Sequence, residues 1–240
     1  MTSLQIIEDW YDDRAIDYLE AWDLQRSLHQ QRVDNQIGDI ALFLEHPAVF
    51  TAGKRTEAHE RPSDGSPVVD VDRGGKITFH GPGQLVVYPI AKLPSHVLVV
   101  DYVRRVEEAM IRAIAELDIR TGRVPGRSGV WLAADQNHPE RKVGAVGIRV
   151  SRGVTMHGIS INADVDLDFY ERFVPCGIAD AGVTSLTAEL GRSVSVPETA
   201  DLLVPHLTEL LEWRAYTPSP DLTDDVRGAP VLGVDAGARA

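Results

Sequence analysis

Residues 143–150, Val143-Gly144-Ala145-Val146-Gly147-Ile148-Arg149-Val150, and residues 154–162, Val154-Thr155-Met156-His157-Gly158-Ile159-Ser160-Ile161-Asn162, decide how this chain is read. Both read as strands, and the second alternates in the period-two manner of a sheet. A third apolar run, 129–133, is separated from 143–150 by a polar loop holding Asn137, His138 and Pro139, so these two are expected to form a hairpin. Upstream, Asp39-Ile40-Ala41-Leu42-Phe43-Leu44-Glu45 fits a buried strand. Leu85-Val86-Val87-Tyr88-Pro89-Ile90 fits another, with Pro89 expected to weaken its end.

Around these strands the periodicity changes. Residues 14–31 carry Ala15, Leu19, Trp22 and Leu28 at helical spacing. Residues 101–118 predict the clearest helix, with Asp101 as N-cap and Val103, Val106, Met110, Ile114 and Leu117 on one face. Residues 197–213 predict a third, opened by Pro197, capped by Ser195 with Glu198, and interrupted by a kink or break at Pro205. Residues 56–67 are rich in turn formers. From Thr217 periodicity is lost, and 217–240 is expected to be a disordered tail behind a single domain of residues 1–216. Strands interleaved with helices give the class α/β (α+β), with strand order left open.

Composition narrows the function. Hydrophobic residues make up 43% of the 240 and charged residues 25%, the balance of an ordinary globular protein. No apolar run approaches the ~18 residues that cross a bilayer, and the start, MTSLQIIEDW, lacks a basic and apolar signal. A cytoplasmic location and no membrane partner are therefore expected. The formal net charge of −12 argues against nucleic acid. A lone cysteine excludes an internal disulfide and any site needing two thiolates.

Three segments carry candidate chemistry. Arg73-Gly74-Gly75-Lys76-Ile77-Thr78-Phe79-His80-Gly81-Pro82-Gly83-Gln84 puts four glycines beside two cations and a histidine. It reads either as a turn between strands or as backbone that a ligand approaches closely, and its spacing matches neither a P-loop nor a dinucleotide fingerprint. Arg141-Lys142-Val143-Gly144-Ala145-Val146-Gly147 opens a strand with one of only four lysines, against twenty arginines. Lys142 is either a solvated edge charge or a cation able to exchange a proton, which arginine cannot do. Phe173-Val174-Pro175-Cys176-Gly177-Ile178 sets the cysteine on a tight turn. A thiol with an ordinary pKa is only slightly ionised at neutral pH, so a nucleophilic Cys176 needs a nearby cation or base, and Lys142, His80 and His157 are the candidates.

Taken in order, these segments resemble the octanoyltransferases of lipoate biosynthesis, also called lipoyl(octanoyl) transferases. The resemblance runs through Leu44-Glu45-His46-Pro47-Ala48-Val49-Phe50-Thr51-Ala52-Gly53, Arg73-Gly74-Gly75 with Thr78 to Gln84, Lys142 to Gly147, His157 to Asn162 and Pro175 to Ile178. It covers roughly residues 40–190. Phe79 stands where many members have tyrosine.

The resemblance implies a biotin/lipoate protein ligase-like fold, a mixed β-sheet flanked by helices. It implies transfer of an octanoyl group from the phosphopantetheine of octanoyl-acyl carrier protein to a lysine of lipoyl domains. The acceptors implied are those of 2-oxo acid dehydrogenase complexes and the glycine cleavage H protein. It assigns Cys176 as nucleophile and Lys142 as the group that lowers its pKa and shuttles protons. It makes Arg73, Gly74, Gly75, Lys76, Ile77, Thr78, Phe79, His80, Ala145, Val146, Gly147, Gly158, Ile159 and Ser160 the substrate-binding residues. Backbone N–H groups near Gly81, Gly158 or Cys176 are candidate oxyanion donors. No cofactor is expected, neither ATP nor metal, because one thioester exchanges for another and then yields an amide. A zinc site joining His80, His157 and Cys176 fits no compact ligand spacing. An ATP-dependent lipoate–protein ligase and a non-catalytic acyl- or lipoyl-domain-binding protein are the competing readings.

Overall fold

A computed structural model of the chain describes residues 4–173 and 181–222. Its strands are β1 (Gln5–Trp10), β2 (Ile40–Leu44), β3 (Val49–Ala52), β4 (Val68–Asp70), β5 (Ile77–His80), β6 (Gln84–Ile90), β7 (Gly122–Val124), β8 (Arg127–Leu132), β9 (Arg141–Ser151), β10 (Val154–Asn162) and β11 (Gly182–Val183). The α-helices are α1 (Tyr18–Val33), α2 (Val99–Ala115), α3 (Leu186–Leu190) and α4 (Val196–Leu210).

Among the described residues the main sheet runs β1-β2-β6-β10-β9-β8-β7, with β11 added beside β9. The β1–β2 and β11–β9 pairs are parallel and the others antiparallel, so the sheet is mixed as expected. A second, three-stranded sheet runs β4-β3-β5. The β9–β10 hairpin is closed by Arg152 and Gly153, both at positive φ, the two-residue turn whose twist suits antiparallel strands.

Both faces of the main sheet are covered, which is why β2 and β6 read as unbroken apolar runs. On β6, Leu85 and Val87 join the core under α2 and α4, while Val86 and Tyr88 join the core under α1. Pro89 does not end β6: it stays in register opposite Ala41, and its carbonyl accepts a hydrogen bond from the Thr155 hydroxyl at 2.6 Å. A third core, Phe50, Ile77, Phe79, Val165 and Phe173, sits at the small sheet.

The helices correct three expectations. In α1 the buried face is Tyr18, Ala21, Gln25 and His29, whereas Leu19 is exposed. Polar side chains are buried there because Gln25 Oε1 accepts from the His157 backbone N–H at 2.9 Å and His29 Nε2 lies 3.1 Å from the Ser151 carbonyl. Asp101 is not the N-cap of α2: Leu98 occupies that position, and Asp101 accepts the Leu98 N–H at 3.0 Å from the third helical position. Helix α4 continues through Pro205, held by Leu203, Leu207 and Leu210 in the core, and Ser195 caps it as expected.

The chain end also differs. Residues 217–222, expected to be part of a tail, return along α2. Ser219 N–H and Oγ both reach Glu108, and Leu222 is buried against Trp131 and Val124. Buried hydrogen-bonding partners and one apolar anchor order a stretch whose composition alone has no periodicity. Residues 223–240 lie outside the described residues.

Candidate active site

The segment 73–76 is shaped by its own arginine. The Arg73 guanidinium is buried and donates to the carbonyls of Lys76 (2.8 Å), Gly74 (3.0 Å) and Thr51 (2.8 Å), and to Thr51 Oγ1 (2.9 Å). It therefore folds the glycine loop around itself. Gly53 permits this, since a Cβ there would lie 2.5 Å from the Gly75 carbonyl oxygen and 2.7 Å from Arg73 Nη1. Across the loop, Gly147 leaves room for the Arg73 side chain, which a Cβ would approach to 3.0 Å. Lys76 pairs with the buried carboxylate of Glu60.

These elements enclose a cavity of about 250 Å³. Of the expected residues, Arg73, Gly75, Lys76, Thr78, His80, Lys142, Ala145, Val146, Gly147, Gly158, Ile159 and Ser160 line it. Segments up to 87 positions apart in sequence are thus gathered on one surface. Ile77 and Phe79 do not line it: alternation along β5 turns them into the third core, where Phe79 stacks on Phe169 at 4.3 Å. Gly74 lies outside as well, its N–H spent on the Ile148 carbonyl at 2.9 Å. Arg55, Arg73, Lys76, Arg127 and Lys142 make the wall cationic, and the described lining holds no carboxylate. On a chain of net charge −12 this is a local reversal of sign.

Lys142 lies near the start of β9, opposite Trp131 of β8, and its Nζ sits 4.5 Å from the indole centroid. That is cation–π distance. On the other side β11 pairs with β9, Val183 opposite Lys142, and the Thr184 N–H reaches the Lys142 carbonyl at 2.9 Å. Cys176, and with it Pro175-Cys176-Gly177-Ile178, lies outside the described residues. The described chain before it ends at Phe173, packed in the third core, and resumes at Ala181, packed against the Trp131 cluster.

Burial lowers the pKa of three histidines in and around the cavity, His46, His80 and His157. His80 is buried, its Nδ1 lies 2.7 Å from Gln84 Oε1, and burial with His46 nearby pushes its pKa down to about 3. His46 does not line the cavity. It bridges the Ile16 carbonyl (2.7 Å) and Tyr88 hydroxyl (2.8 Å), and burial lowers its pKa to about 4. His157 takes a positive φ within β10, so its ring meets Asp72 at 2.8 Å; burial lowers its pKa against the opposing pull of that carboxylate. Among the described residues no cluster of three His, Cys, Asp or Glu side chains is placed to hold a metal ion.

Sequence reasoning missed several wall residues. Tyr18 and Tyr88 line the cavity from α1 and β6, and Gly126 of the β7–β8 turn lines it with Arg127 and Ser128 at the start of β8. The Pro125-Gly126 pair was a readable signal for that turn. Asp72, which pairs with Arg149 and meets the His157 ring, had no such signal.

Comparison with known proteins shows the family and the fold. The model of the lipoyl protein ligase A/B catalytic domain matches residues 17–208. The octanoyltransferase of Salinispora tropica is 59% identical over 198 residues, covering 82% of this chain and 93% of that protein. The bi-partite lipoate protein ligase of Thermoplasma acidophilum shares the fold at a TM-score of 0.61 and 16% identity, over 93% of this chain and 88% of that one. Biotin protein ligase from Aquifex aeolicus shares it at a TM-score of 0.53 and 16% identity, over 87% and 70%.

Proposed function

Because the chain belongs to the lipoyl protein ligase A/B catalytic family and, within it, to the octanoyltransferases, we propose that it takes its octanoyl group from acyl carrier protein, holds it on Cys176, and delivers it to a lysine of a lipoyl domain. The observation that carries this reading is the shared cavity. Lys142, Arg73, Gly75, Lys76, Thr78, His80, 145–147 and 158–160 meet there, and the strand bearing Lys142 pairs with the segment that follows Cys176 in sequence.

The chemistry runs in two balanced steps. The Cys176 thiol loses its proton and the thiolate attacks the carrier thioester carbonyl. A new C–S bond forms, the old one breaks, and the released carrier thiol takes up the proton. The amine of the acceptor lysine then attacks the acyl-enzyme. A C–N bond forms, the C–S bond to Cys176 breaks, and the amine proton returns through Lys142. The cationic wall favours the thiolate and the oxyanions of both steps, and Lys142 provides a proton that arginine would not release. The acyl group arrives already activated, so the reading assigns no role to ATP or a metal ion. Acceptors are the lipoyl domains of 2-oxo acid dehydrogenase complexes and the glycine cleavage H protein, and the setting is the cytoplasm.

Incubation with octanoyl carrier protein and an apo lipoyl domain tests the reaction. Octanoylation of the domain without ATP is the expected result. Modification only when ATP and free octanoate are supplied would replace this reading with that of a ligase, and no modification at all would favour a binding protein.

A further inference from the structure

The His80 ring is tied to a chain of amides whose orientation is fixed by backbone. Asn162, the last residue of β10, stands opposite Gln84, the first of β6. Its side-chain Nδ2 donates to the Thr184 carbonyl at 2.9 Å, so its Oδ1 faces the other way and accepts from Gln84 Nε2 at 2.9 Å. Gln84 Nε2 also faces the Phe79 carbonyl at 3.3 Å and the Tyr170 hydroxyl at 2.9 Å, and that hydroxyl lies 3.1 Å from Asn162 Oδ1. Turning either amide over would set an oxygen against a backbone carbonyl oxygen, which cannot itself reorient. Gln84 Oε1 is therefore the atom presented to His80 Nδ1 at 2.7 Å, and an oxygen there requires a proton on Nδ1.

We propose that Gln84 and Asn162 are positioning residues that hold His80 in the Nδ1–H tautomer, leaving Nε2 as a lone-pair acceptor for an N–H of the bound substrate. The ring lines the cavity and its Nδ1 is committed, so Nε2 is the nitrogen a ligand can use. Tyr18 stacks parallel on the ring, 6.1 Å between centroids. A lone pair at Nε2 cannot donate to an oxyanion, nor can the neutral ring stabilise a thiolate. His80 thereby takes a task distinct from that proposed for Lys142: it selects a ligand group that donates. The relay spans the two sheets, since His80 belongs to β5 and its partners to β6 and β10. The nature of the substrate N–H, a carrier-arm amide or the acceptor lysine, rests on the octanoyl-transfer reading; the tautomer does not.

Long-range ¹H–¹⁵N NMR of the full-length protein reads the tautomer directly. The expected result is one neutral His80 form, protonated on Nδ1, unchanged from about pH 5.5 to about pH 8. In Gln84→Leu that signal becomes a mixture of tautomers and kcat/KM for octanoyl transfer falls about tenfold. The alkylation rate of Cys176 stays as in the parent, which a general loss of structure would not allow. An Nε2–H form or a mixture in the parent protein overturns the proposal, as does a Gln84→Leu variant that keeps the single tautomer. A parent protein with the predicted tautomer and no octanoyl transfer supports the relay and overturns the functional reading alone.

Discussion

At the scale of single residues the account turns on charge. Lys142 is held over the Trp131 indole and edged on both sides by paired strands, so its ammonium has a fixed place. If that charge ionises the Cys176 thiol, Lys142→Ala should slow alkylation by iodoacetamide about tenfold at neutral pH and much less at about pH 9, where the thiol ionises unaided. Equal slowing at both pH values would remove Lys142 from thiol activation. Lys142→Arg should keep alkylation near normal yet lose transfer, because arginine retains charge but gives up no proton. Lys142 was legible in the sequence through its rarity. Asp72, whose carboxylate holds His157, was not, because an aspartate beside a Gly-rich turn looks like any solvated loop residue.

At the scale of elements the close seam between β6 and β10 is the most sensitive feature. A Cβ on Gly158 would lie 2.0 Å from the Val87 carbonyl oxygen and 2.8 Å from Pro89 Cδ. Gly158→Ala should therefore destabilise the protein by about 3 kcal/mol, measured by urea unfolding, because backbone on both sides must shift. A loss under about 1 kcal/mol would show that the seam can open without cost. Strand β10 was read with its observed bounds, since nine alternating residues leave little ambiguity. Strands β3, β4 and β5 went unread: four residues or fewer carry too little periodicity, and among the described residues they pair only with one another. The face of α1 was misread because its inward residues, Gln25 and His29, are polar and become buried only through hydrogen bonds to distant strands.

At the scale of the whole molecule, stability is coupled to pH through buried neutral histidines. His46 and His80 have pKa values lowered from 6.5 to about 4 and about 3, and that of His157 is also lowered. The unfolded chain binds protons on these rings below about pH 6.5 while the folded chain does not, so their contribution is complete above that pH. It is lost as pH falls toward the folded values. Between about pH 6.5 and about pH 5, unfolding free energy should drop on the order of 1 kcal/mol per pH unit for each fully buried ring. A urea midpoint that is flat across that window would contradict the neutral assignment. The α/β class was legible from interleaved strands and helices, whereas the mixed sheet was an implication of the family resemblance and the strand order was not legible at all. The closing turn at residues 217–222 was not, since it is ordered by Glu108 and Trp131, about ninety and more positions earlier.

The central claim, that Cys176 carries the acyl group, is tested most directly by intact mass after exposure to octanoyl carrier protein alone. The account predicts a gain of ~126 Da, the mass of one octanoyl group replacing a proton, present in the parent chain and absent in Cys176→Ser. An unchanged parent mass, or an adduct that persists in Cys176→Ser, would contradict it.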